Sequence, residues 1–191
     1  MGFKKILFFL PLLIFTLNLY SKDKKVLMVI AFENFRDEEL QTPKEIFEKN
    51  GIKVDIASNK KGTAKGMLGL KVNVELKIDE VEEKEYDGII FVGGIGSQSL
   101  FNNTYAINLA KNFYKNKKVV GAICLAPGIL ANSGILKGKK ATCYPSASDI
   151  LKKNGAIYTG KEVEVDGNIV TGSGPEAAEK FATEILKLLK K

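Results

Sequence analysis

Cys124 is the residue best placed to do chemistry. An apolar run of strand length, Val119–Ile123, stops at it, and small residues stand two positions away on either side, Ala122 and Ala126. Helix-compatible sequence comes at once after it, Pro127-Gly128-Ile129-Leu130-Ala131. This is the pattern of a nucleophile elbow, a sharp strand-to-helix turn across which bulky flanking side chains would collide. A thiol held there sits near a helix N-terminus, where unpaired N–H groups and the helix dipole favour thiolate over thiol. The same placement suits a buried structural cysteine closing a core strand, because free cysteine is among the most buried residue types.

Two further stretches complete a possible site. Glu39 lies just after the first apolar run, and Gly93-Gly94 lies just after another, Asp87–Val92. In an open parallel sheet, ligands collect beyond the carboxyl ends of the strands, which puts Glu39, Gly94 and Cys124 at one rim. A thiolate at Cys124 would attack, and the N–H groups of Gly94 and Leu125 could stabilise an oxyanion. A protonated Glu39 could hydrogen-bond the thiolate, or move a proton once ionised. Each also has a purely structural reading. Glu39 fits a first-turn glutamate favoured by the helix dipole, and Gly93-Gly94 fits a tight turn.

Composition narrows the chemistry. No histidine occurs among the 191 residues, which removes Cys-His and Ser-His catalysis and the commonest metal ligand. Two cysteines, Cys124 and Cys143, can form neither a disulfide framework nor a four-thiolate zinc site. The formal net charge is +7, but the lysines alternate with glutamates along expected helices rather than clustering, so the surface reads as solvated and not as a nucleic-acid face. The chain is of single-domain size, with no internal repeat and no linker.

Hydrophobic periodicity supplies the positioning elements. Lys25–Ala31 is expected as a parallel strand buried on both faces, Phe32–Asp37 as a loop, Glu38–Asn50 as a helix and Ile52–Ser58 as a second strand. Leu70, Val72, Val74, Leu76 and Ile78 alternate with polar residues, the pattern of one strand exposed on one face after a glycine-rich turn at Gly62–Gly69. Asp87–Val92 and Val119–Ile123 are buried strands flanking a helix over Ser97–Asn116, with Ile107, Ala110 and Phe113 on its inner face. Lys140–Tyr144 fits a short strand, Ala147–Lys153 a helix, and residues 162–171 a hairpin around Asp166-Gly167. The last helix opens at Pro175 and turns Phe181, Ile185 and Leu188 inward. This order is α/β, doubly wound, mainly parallel, with a small antiparallel insertion.

Residues 1–21 read as a secretory signal: Lys4 and Lys5, an apolar run Ile6–Tyr20, then Ser21. The run is shorter than the roughly 20 residues a spanning helix needs. Export to a periplasmic or extracellular space is expected, with an uncleaved membrane anchor over residues 6–20 as the alternative. The mature domain is then 22–191.

From about Lys24 onward the sequence resembles the DJ-1/ThiJ/PfpI family. The likeness rests on Asp37-Glu38-Glu39-Leu40, Phe91-Val92-Gly93-Gly94, Ala122-Ile123-Cys124-Leu125-Ala126-Pro127, Tyr144-Pro145 and Thr171-Gly172-Ser173-Gly174-Pro175. The resemblance implies a flavodoxin-like sandwich of the class I glutamine amidotransferase type, usually a homodimer. It also implies a reactive Cys124, a carboxyl partner at Glu39, and a pocket around Gly93, Gly94, Leu125 and Tyr144, with no cofactor and no metal. Family activities include cofactor-independent conversion of methylglyoxal to lactate, removal of early glycation adducts, peroxide sensing through cysteine oxidation, chaperoning and peptidase activity. The expected substrate is a small reactive carbonyl or a glycated adduct. The alternatives are a non-catalytic redox-sensing stress protein and, less in keeping with the sequence, a cysteine peptidase.

This chain departs from the family pattern in two places. Leu125 stands where the peptidase-like branch has histidine, and Tyr144 precedes Pro145 where the deglycase-like branch has histidine. Tyr144 can donate a hydrogen bond, but a phenol is a poor base near neutrality. In an oxidising compartment Cys143 could pair with Cys124 or resolve its oxidised form; the bland alternative is a small buried hydrophobe.

Overall fold

A computed structural model describes residues 23–191, so the expected signal segment lies outside the described residues. Three continuous apolar runs supply the middle of the sheet. They are β1 (Lys25–Val29), β7 (Gly88–Phe91) and β8 (Val119–Ile123), and nearly every residue in them is buried. Strands with no polar face must be covered on both sides, and these are.

In chain order the remaining elements are β2 (Glu33–Phe35), α1 (Asp37–Lys49), β3 (Lys53–Ser58), β4 (Gly62–Gly66), β5 (Lys71–Val74) and β6 (Leu76–Lys77) before β7. α2 (Thr104–Lys115) precedes β8. After it come α3 (Pro127–Asn132), β9 (Lys140–Ala141), α4 (Ser148–Lys153), β10 (Ile157–Tyr158), β11 (Val163–Asp166), β12 (Ile169–Gly172) and α5 (Ala178–Leu189). The main sheet has seven strands in the order β11-β12-β8-β7-β1-β3-β6. All its neighbours are parallel except β11 and β12, which form the hairpin at Asp166-Gly167.

Successive side chains of a strand point to opposite faces, and the two cores divide accordingly. Val26, Met28 and Ile30 pack with Phe47 of α1 and Phe181 and Ile185 of α5. Leu27 and Val29 pack on the other face with Ala110 and Phe113 of α2, Leu130 of α3 and Leu151 of α4. The architecture is the expected flavodoxin-like sandwich, a mainly parallel sheet between two helical layers.

Several local expectations change. The alternating run Leu70–Ile78 is not one strand. β5 pairs antiparallel with β4, while β6 pairs parallel with β3 at the edge of the main sheet, so the run passes from one sheet to another at Glu75. Periodicity reports a half-buried face and says nothing about which sheet buries it. The expected turn at 62–69 is largely strand β4, and the expected loop at 32–37 contains β2, which pairs parallel with β4. The helix expected over Ser97–Asn116 is a 3-10 segment, Ile95–Leu100, and then α2. Asn103 divides them: its side-chain oxygen accepts from the N–H groups of Tyr105 and Ala106, an N-cap that starts a new helix. Within α2, Ala106, Leu109, Ala110 and Phe113 are buried and Ile107 only partly; in α5, Leu189 is buried and Leu188 packs against the same core partly buried. The short strand at 140–144 is only β9, paired with β10 in a sheet of its own.

Candidate active site

The site lies where the chain leaves β1, β7 and β8. Between β1 and β7 the strand order reverses direction from the middle of the sheet, and a crevice opens there beyond the carboxyl ends of the strands. Cys124 comes directly after β8 with φ at +62°, a left-handed conformation costly for a non-glycine residue. The main chain holds it there. Cys124 N–H donates to the Gly172 carbonyl of β12 at 2.9 Å, and its own carbonyl accepts from Tyr144 N–H at 2.8 Å. Ala126 and Gly128 are buried on the turn, and a Cβ on Gly128 would meet the Phe101 ring at 2.7 Å. The elbow expected from small residues is therefore present, and tightly packed.

Glu39 comes from the first turn of α1 and is fully buried. Gly93 N–H donates to its Oε2 at 3.0 Å. A Cβ on Gly93 would lie 2.5 Å from Glu39 Oε2 and 2.6 Å from Cys124 Cβ, so the bare glycine is what lets acid and thiol approach one another. Glu39 Oε1 has no N–H or O–H donor among the described residues, and the Cys124 thiol is the remaining group that acts on this carboxyl. Other buried oxygens without a conventional hydrogen bond sit against cations, Glu38 Oε2 against Arg36 and Glu164 Oε2 against Lys161. Glu39 Oε1 has no such cation. An orphaned carboxyl oxygen in a protein interior is expensive, which makes it a marker of function.

Burial pushes Glu39 up to about 7, against the opposing pull of the Cys124 thiol and the Gly93 N–H. Burial also pushes the Cys124 thiol up to about 12; the Glu39 charge adds to this, while N–H groups of Gly94 and Leu125 pull the other way. The two groups titrate as a pair. A proton on Glu39 removes the charge that opposes the thiolate, so carboxylic acid and thiolate belong to one state. The same two N–H groups, aimed at the sulfur, are positioned for an oxygen that bonds beside it.

A pocket of about 410 Å³ opens over this pair. Glu39, Gly94, Cys124, Leu125 and Tyr144 line it, so the structure brings together the residues singled out from sequence. Gly93 sits just behind, holding Glu39. Tyr144 lines the pocket and is half-exposed. Cys143 is a free thiol, buried and unbridged to Cys124, in keeping with a small buried hydrophobe.

Sequence reasoning missed Arg36, Met67, Ile95 and Glu176, which also line the pocket. Arg36 was hidden among acidic neighbours. Glu176 comes after Pro175, beyond the end of a fourth parallel strand, β12, a position that the strand-end rule points to. Met67 arrives on the β4–β5 hairpin, clasped by Asp37, whose carboxyl oxygens accept from the N–H groups of Leu68 at 2.9 Å and Leu70 at 2.7 Å. Among the described residues no group of three or more Cys, Asp or Glu side chains is arranged to hold a metal ion.

A doubly wound α/β protein with a cysteine on a strained elbow, an acid beside it and glycine N–H groups around it defines a class. Comparison with known proteins narrows it: residues 24–188 match the model of the DJ-1/PfpI family. The chain belongs to that family. It is 54% identical over 173 residues to an uncharacterized protein of Methanocaldococcus jannaschii, covering 89% of this chain and 84% of that one. It is 36% identical over 166 residues to a protein of Pyrococcus horikoshii named a deglycase, covering 87% of this chain and 99% of the relative. The solved structure of a ThiJ/PfpI domain protein from Brachyspira murdochii superposes with a TM-score of 0.85 at 37% identity, over 87% of this chain and 96% of that one.

Proposed function

We propose that this protein is a cofactor-independent, deglycase-type enzyme that processes reactive carbonyls or their early adducts through Cys124 and Glu39. One observation carries the reading: a fully buried Glu39 carboxyl paired with a cysteine held at positive φ. Relatives named deglycase at about a third identity support it.

With methylglyoxal the steps balance without an oxidant. The thiolate attacks the aldehyde carbon, a C–S bond forms, and the carbonyl electrons move to oxygen, which takes the Glu39 proton within reach of the Gly94 and Leu125 N–H groups. The Glu39 carboxylate then removes the hydrogen of that carbon as a proton, giving an enediolate. It returns the proton to the neighbouring carbon while the hydroxyl proton of the first carbon passes to the second oxygen, leaving a thioester of lactate. Water cleaves the thioester, releasing lactate and the thiol. An adduct enters the same path after releasing its amine or thiol. Glu39 performs both transfers, so no histidine is required.

Lactate formation from methylglyoxal, by protein lacking residues 1–21, tests this beside the Cys124→Ala variant. Lactate from the wild type alone is expected; equal turnover in the variant would refute the assignment. A second reading draws on the same pair. Two equivalents of peroxide would convert the Cys124 thiolate to a sulfinate, whose oxygens could accept from Glu39 and the Gly94 and Leu125 N–H groups. Oxidation at Cys124 without any carbonyl turnover would favour this redox-sensing role. A peptidase role lacks a histidine base, and a casein digest checks it. The reading includes export through residues 1–21 and a homodimer; the N-terminus of protein recovered from its host and light scattering check these.

A further inference from the structure

The pocket holds one cation that the proposed chemistry does not use. Arg36 is the N-cap residue of α1, and its main chain is pinned against the turn above Cys124. Its N–H donates to the Gly93 carbonyl at 3.1 Å, and a Cβ on Gly94 would come within 2.4 Å of the same nitrogen. The side chain is pinned as well. Nε lies 2.9 Å from Glu38 Oε2, and Nη2 donates to Glu38 Oε1 at 3.0 Å. One hydrogen bond and one close charge contact hold the guanidinium by a single edge of its fork. Nη1 has no hydrogen-bond acceptor among the described residues, and the side chain, about a third exposed, lines the same pocket as Cys124 and Glu39.

We infer that Arg36 holds a carboxylate, so that the pocket takes carbonyl compounds or glycated adducts bearing one. The identity of the substrate rests on the carbonyl-processing reading; the anion site does not. Suitable molecules are carboxylate-bearing 2-oxoaldehydes and adducts of free amino acids. The opposing charges are few. Glu38 is engaged by Arg36 itself, Glu39 carries its proton in the thiolate state, and Glu176 is exposed at the mouth, where salt screens it. A three-carbon aldehyde fills little of a pocket of about 410 Å³, which leaves room for a body that reaches the guanidinium.

Two alkylating reagents differing only in charge test this without turnover. Iodoacetate carries a carboxylate, iodoacetamide a neutral amide, and both react at one carbon with one leaving group. Their rate ratio at Cys124 is read by mass spectrometry of the Cys124 peptide, with N-acetylcysteine as the free-thiol reference. The iodoacetate-to-iodoacetamide ratio is expected to be about tenfold higher at Cys124 than at the reference, as a charge-assisted contact implies. Arg36→Gln should return it to the reference value. Glu38→Gln, which frees the second edge of the fork, should raise it further. A wild-type ratio equal to the reference, a ratio unmoved by Arg36→Gln, a fall in Glu38→Gln, or a Cys124 that neither reagent reaches would each overturn the proposal. Should Arg36→Gln fail to fold, the sign of the Glu38→Gln change decides. Methylglyoxal turnover on the same samples keeps the two readings apart: a high ratio without turnover retains the anion site and removes the enzyme.

Discussion

The two ends of the central strands are built on opposite terms. At the amino ends of β1, β7 and β8 the flanking polar groups pair with one another. Asp87 accepts from Lys25 N–H at 2.9 Å and from Lys24 Nζ at 3.2 Å, Asn168 bonds the Lys118 carbonyl, and Lys118 Nζ donates to the Glu83 carbonyl at 2.6 Å. Beyond the carboxyl ends stand a buried Glu39 oxygen with no N–H or O–H donor and a cysteine at positive φ. Local strain and unmet hydrogen bonding persist only where the surrounding structure over-determines them, and they cluster at functional sites. One end closes the fold; the other holds reactive groups in place.

Variants at the two ends put numbers on this contrast. The largest effect after loss of Cys124 is expected from Glu39→Gln, which keeps shape and removes the proton carrier; lactate formation should fall by about 10²–10⁴-fold. The same variant changes the pH dependence of folding. Burial raises Glu39 from 4.5 to about 7, so the folded state binds its proton more tightly than the unfolded chain. Stability contributed by that proton is present below pH about 4.5 and is lost as pH rises towards 7, on the order of 3 kcal/mol. Glu39→Gln should flatten that slope in urea melts across this range, and an unchanged slope would show that Glu39 is not its source.

Next come two glycines at opposite ends of β7. Gly93→Ala forces a Cβ against Glu39 Oε2 and Cys124 Cβ; a loss of about 1–3 kcal/mol is expected, with turnover falling as acid and thiol separate. Gly88→Ala meets Val119 at 3.2 Å, and a shift below about 1 kcal/mol with turnover intact is expected. Equal effects on turnover would erase the distinction between the ends. Asp87→Asn, measured by thermal melts and the lactate assay, should lower stability by about 1 kcal/mol and leave turnover alone.

Legibility in the sequence divides along similar lines. Buried strands and the elbow announce themselves, because continuous apolar runs and flanking alanines have few other uses. Glu39, Gly93, Gly94, Leu125 and Tyr144 could be placed because each lies a short way past the carboxyl end of an apolar run or within a motif there. The split of residues 70–78 between two sheets could not be read, since alternation is identical whichever sheet buries it. Asn103 ended one helical turn and began another through a side-chain cap that hydrophobic periodicity does not register. Arg36 stayed hidden because its partner is two residues away on a charged segment, and such pairs are usually solvated surface.

The clasp at Asp37 carries a consequence for anyone wishing to retarget this protein. The hairpin that brings Met67 to the pocket is fastened to the turn of α1 that carries Glu39, and Gly66 is bare because a Cβ there would strike the Asp37 carboxyl. The hairpin is thus a detachable module with a defined socket. A replacement loop that offers two main-chain N–H groups to Asp37 and a glycine at position 66 can be transplanted without disturbing Glu39, whereas one that lacks them would shift Glu39 along with the mouth.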